Sequence, residues 1–115
     1  MNFKEKHTIE INSLFEIVSN YINDKFQYKI TSIDQLVKNT RKKPYVYMRR
    51  LMMVILAEKF LKDGYNQEDI ASVVMLDRTS FIYHSKNHID DYSTYSSYKE
   101  EYDFLVKEFS KKIKV

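Results

Sequence analysis

Apolar residues at Ile9, Ile11, Leu14, Phe15, Val18, Tyr21 and Ile22 recur at steps of three and four, which predicts an amphipathic helix over about residues 8–24. "FQYKI" then alternates and reads as an extended connector. Ser32 and Gln35 have capping-box spacing, so a short helix is expected at 33–39. A stronger helix is expected at about 47–62, with Leu51, Val54, Ile55 and Phe60 in the core, and Gly64 in "DGY" stops it. Asn66 is placed to cap a third helix, "QEDIASVVM". Its Ile70, Val73 and Val74 face inward, and Ala71 is small enough for close packing. After the turn "LD", Asp77 is placed to cap "RTSFIYHSKNHID", which carries Ile82, Ser85 and Ile89 along one side. Ser97 and Glu100 form another box, ahead of a last helix to about 113 carrying Tyr102, Leu105, Val106 and Phe109.

One Gly and one Pro in 115 residues disfavour turn-dense folds, so the expectation is one all-α domain over 1–115, without internal repeat or domain boundary. With no Cys, disulfides, thiolate zinc sites and cysteine nucleophiles are excluded. "MNFKEKHTIEINS" lacks the apolar run of a signal peptide, and "LMMVILA" is far too short to span a membrane. A soluble cytoplasmic protein is expected. The net charge of +3 is too mild to imply a polyanion by itself.

Charge placement says more. In "NTRKKPYVYMRRL" and just before it, Lys38, Arg41, Lys42, Lys43, Arg49 and Arg50 fall within thirteen residues without an acid. Such a run is usually a solvated face. Here Pro44 is expected to bar helix through the stretch, leaving 40–46 as an extended arm before a helix. Arms of this kind place arginine in a minor groove while the helix start holds phosphates. The segments at 67–90 have the order of a helix-turn-helix, whose second helix enters the major groove by its N-terminus. Arg78, Thr79 and Ser80 lead that helix; arginine forks onto guanine, and hydroxyls bond base edges or phosphate. The arm and this helix tip are expected to lie side by side.

Residues from about 9 to 90 resemble the C-terminal DNA-binding domain of the bacterial replication initiator DnaA. "MRRLMMVILA" is similar to that family's Pro-Arg-Gln-x-Ala-Met stretch, with Met48 in place of the proline, and Arg41 stands eight residues before Arg49 as the family's loop Arg does. "EDIASVVMLDRTSFIYHSKNHI" aligns without a gap with the signature E-I-G-x-x-F-G-G-R-D-H-T-T-V-x-H: Ile70 and Ala71 on Ile-Gly, Ile82 on Val, His84 on His. The resemblance implies a Trp-repressor-like helix-turn-helix bundle with an extra N-terminal and C-terminal helix (95–113). It implies Arg41 in a minor groove, with Arg49 and His84 on phosphate. The family's Asp-His-Thr-Thr is here Arg78, Thr79, Ser80 and Phe81, its Gly-Gly turn is Met75-Leu76, and about three extra residues lie around 60–65. A target other than the initiator's usual box is therefore implied. No G-x-x-x-x-G-K-[ST] is present, so the initiator's ATPase is missing.

The expected function is sequence-selective double-stranded DNA binding, in replication or its regulation, with Lys42, Lys43, Arg49 and Arg50 on phosphates. The alternative is a protein-interaction module on the same scaffold. His84 and His88 have zinc-compatible spacing but no third ligand, so no metal or cofactor is expected. Phe81 is expected to be partly buried, with a thymine methyl as its other contact. Tyr45 and Tyr47 stack on bases, bond phosphates or pack the arm, and Lys86 meets phosphate or solvent. "DDYSTYSSYKEEYD" is acidic and would sit away from DNA, either as a solvated helix start or as a protein contact. No triad, metal cluster or carboxylate pair suggests an enzyme.

Overall fold

The computed structural model describes residues 1–37 and 41–113. All regular structure among them is helical: α1 (Phe3–Lys6), α2 (Thr8–Phe26), α3 (Asp34–Val37), α4 (Lys43–Phe60), a 3-10 turn (Leu61–Asp63), α5 (Gln67–Ser72), α6 (Arg78–Thr94) and α7 (Ser96–Ile113). No helix among the described residues is long and apolar enough to cross a membrane.

α4 is the axis of the bundle. Every residue from 51 to 57 is buried, well beyond Leu51, Val54 and Ile55. A helix apolar all round must be covered all round. α2, α3, α5 and α6 pack on α4, and α7 closes over α2 and α6. The expected extended arm does not form over its described part beyond Lys42. α4 starts at Lys43, and Pro44 lies buried in its first turn. There a proline loses no hydrogen bond and its fixed φ suits the helix, so it starts α4 rather than blocking it. Residue 40, Lys38 and the end of the short helix expected at 33–39 lie outside the described residues.

Other elements follow local chemistry. Asn2 caps α1, a short helix that the pattern of apolar residues did not predict, by accepting from Glu5 N at 2.8 Å. Phe3 then sets its ring 5.1 Å from Phe60 and 4.9 Å from Tyr65, centroid to centroid. The connector after α2 is pinned by Asn23, whose side chain donates to Ile30 O at 2.9 Å and accepts from Ile30 N at 2.8 Å. Gln35 Oε1 accepts from Ser32 N at 3.0 Å, half of the expected box. α7 begins at Ser96, so Ser97 lies inside its first turn rather than at the cap.

α5 and α6 are joined with well-satisfied ends. Asn66 and Asp69 form a full capping box at the start of α5. α5 ends at Ser72, short of the expected Met75, because residues 73–75 tighten into i→i−3 bonds. Met75 then takes φ +57°, its N–H donating to Ser72 O and that of Leu76 to Ala71 O, both at 3.0 Å. That is a Schellman closure with methionine where glycine is usual. Asp77 caps α6 by accepting from Ser80 N at 2.8 Å, a bond that holds its carboxyl below the usual range.

Candidate nucleic-acid interface

α6 buries Phe81 and His84 against the bundle, while Ile82 and Ile89 are exposed. The side drawn through Ile82, Ser85 and Ile89 is thus not the inward one. Phe81, at 3% exposure, is core rather than partly buried, and has no surface to offer a base. Opposite the buried side, Thr79, Ile82, Tyr83 and Lys86 share an outward face, with Arg78 at its edge; all are exposed. Ser80 is half-buried. Arg78 Nε donates to Gln67 Oε1 at 3.1 Å, which ties the tip of α6 to the start of α5.

The basic stretch divides into two sets. Arg41, Lys42 and Lys43 are exposed. Arg49 and Arg50 turn inward. Arg49 Nε donates to Leu36 O at 2.7 Å, closing α3, and burial lowers its pKa. Arg50 Nε donates to His84 Nδ1 at 3.2 Å, and its NH1 reaches Asp91 Oδ2 at 3.3 Å. His84 is 7% exposed, and burial, aided by the charges of Arg50 and Arg49, pushes its pKa down to about 4. It is neutral at pH 7, with Nδ1 as acceptor. The assignment of Arg50 and His84 to phosphate is therefore revised: Arg50 is held by His84 and Asp91, and the Nδ1 of buried His84 is taken by Arg50. Arg49, bound to α3, joins them as a framework residue.

The arm and the helix tip do not lie side by side. Arg41, Lys43 and Arg50 line a cleft of about 400 Å³ with Tyr47, Asp91 and Tyr98. Asp91 is thirteen residues along α6 from Arg78, about 20 Å at 1.5 Å per residue. α4 runs antiparallel to α6, which carries its basic start to the far end of that helix. The cations with no acid near them in sequence thus meet one in space.

The tyrosine-rich acidic segment is anchored to the bundle by some of its members, while Asp90, Tyr95, Glu100 and Asp103 stay exposed. Tyr98 and Tyr102 are buried. Glu101 accepts from Tyr47 at 2.6 Å and pairs with Lys25, and Tyr21 also bonds it. Burial raises the Glu101 pKa, but these donors outweigh it and the net shift is downward. Tyr102 donates to Glu58, and His88 Nδ1 meets Tyr98 Oη at 2.7 Å. Tyr47 is therefore held by its hydroxyl, and the Tyr45 ring lies 5.7 Å from that of Tyr28. His84 and His88 serve separate partners, and among the described residues no three His, Asp or Glu converge on a metal position.

Tyr83 is a surface residue that the sequence pattern did not single out, and Ile82 was placed on a helix side without a DNA contact. Placing Phe81 in the core would have found them, since 84 and 88 then follow beneath it and 82, 83 and 86 turn outward. No family model, curated protein or solved structure matches this chain.

Proposed function

We propose that this chain is a sequence-selective double-stranded DNA binder of the cytoplasm, acting in replication or its regulation. Its DnaA-like helix-turn-helix is α5 and α6. One observation carries the reading. The outward face of α6 presents Arg78, Thr79, Ile82, Tyr83 and Lys86, with no carboxylate from 78 to 89, on a helix whose other side is locked to α4. An α-helix fits the major groove, and such a face puts side chains on base edges and cations at their margins. Asp77 at the tip is occupied by Ser80 N–H, and Glu68 and Asp69 follow the Gln67 that Arg78 bonds at the start of α5. Arg41, Lys42 and Lys43 form a second basic point about 20 Å away. They act on phosphate and not as one surface with the tip.

Fluorescence anisotropy of the full chain on a random-sequence duplex, titrated with salt, tests this. Five phosphate-facing cations give a slope of log affinity on log salt of about −4.5. A flat titration refutes the reading. The exposed apolar Ile82, Tyr83 and Ile89 support a second reading, a protein-interaction module. A pull-down with a saturable partner, alongside no duplex retention, selects it.

A further inference from the structure

We infer that α6 selects its duplex by apolar contact with thymine C5-methyl groups, with Ile82 as the specificity-determining side chain and Tyr83 beside it. The inference rests on the DNA-binding reading above and names what that face reads. Ile82 is 45% exposed and Tyr83 62%, on adjacent outward positions one turn past the tip. Neither packs into the core, while Phe81 between the same turns does.

The hydrogen-bonding groups of the face, on Arg78, Thr79, Tyr83 and Lys86, surround Ile82 rather than replace it. Thr79 offers one hydroxyl, and the Nε of Arg78 is already given to Gln67. Ile82 has no polar atom, so it cannot address the O6, N7 or amino groups that mark three of the four bases. The one apolar group a base pair presents in the major groove is the thymine methyl. Arg78 lies four residues before Ile82 and Lys86 four after, so both charges fall on the same side of α6 as the isoleucine. They are spaced to hold phosphates while the apolar pair between them meets the groove floor. Water excluded between Ile82 and a methyl adds affinity only where thymine stands.

The test begins with the full chain and a random duplex pool, from which preferred sites are selected. The best site is then rebuilt with deoxyuridine for each thymine, which removes the methyl and leaves pairing intact. Each contacted thymine so replaced should weaken binding three- to fourfold, the roughly 0.8 kcal/mol of one buried carbon group converted at 1.4 kcal/mol per tenfold. Ile82→Ala should bind the thymine and deoxyuridine duplexes equally, with an unchanged melting temperature because the side chain lies on the surface. Equal wild-type binding to both duplexes, or a selected site without thymine, overturns the inference and leaves DNA binding standing. A full methyl effect in Ile82→Ala overturns the assignment to that residue. Failure to retain any duplex overturns both.

Discussion

Arg50 Nε donates to His84 Nδ1 at 3.2 Å, joining the central helix to the middle of α6. Protonating His84 would destroy its acceptor and set two cations against each other. Its pKa falls from 6.5 to about 4 on folding, so between those values the unfolded chain holds the extra proton. Stability is therefore complete above pH 6.5 and declines as pH falls towards 4, by roughly 1–3 kcal/mol. His88, also lowered chiefly by burial, adds to the same trend. Urea unfolding at pH 7 and pH 4.5 measures the loss. His84→Gln, which keeps an acceptor, should flatten the dependence; an unchanged slope in that variant counts against His84.

Met75 offers a gain in stability. Its φ of +57° costs a side-chain-bearing residue about 1–2 kcal/mol, and its side chain is 65% exposed, so little packing is lost with it. Met75→Gly should stabilise the chain by about 1 kcal/mol, less the added freedom of the unfolded state. Thermal unfolding should shift upward by a few degrees, and a lower midpoint would contradict the Schellman reading of the turn.

Glu101 and Glu100 are neighbours with opposite expectations. Glu101 binds Lys25 and Tyr47, whereas Glu100 is exposed. Glu101→Gln should cost about 1–3 kcal/mol, and Glu100→Gln should stay within about 0.5 kcal/mol. Denaturant midpoints of the two variants compare them directly, and equal midpoints would deny Glu101 its joining role.

The two kinds of cation separate in the same way. Lys86→Ala should reduce the salt slope of duplex binding by about 1 and leave the melting temperature alone. Arg50→Ala should do the reverse, since it strips a partner from His84 and from Asp91. A loss of roughly 1–3 kcal/mol in stability is expected, with no change in slope. A slope that falls in Arg50→Ala would return that residue to the phosphate set.

Much of the helical layout was legible because one buried stripe per helix leaves a three-to-four rhythm, as in α2 and α7. Capping chemistry also read well: Asn66 and Asp77 sit where their side chains predict. The reading failed where one residue has two uses. Pro44 halts a helix from its interior yet starts one from its first turn, and only packing decided. It also failed on α6, where Phe81 and Ile82 are both apolar and the inward side is chosen by α4. The largest miss was electrostatic. Arg50 and Asp91 are 41 positions apart, so nothing local announces their pairing.

The continuous burial of α4 from Leu51 to Ala57 sets an order on synthesis. α4 leaves the ribosome well before α7, whose Glu101 and Tyr102 bind Tyr47 and Glu58 on it. Until those residues emerge, the most apolar segment of the protein is only partly clothed. The bonds from Tyr47 and Glu58 to α7 therefore form late, after α4 has met the helices that precede α7.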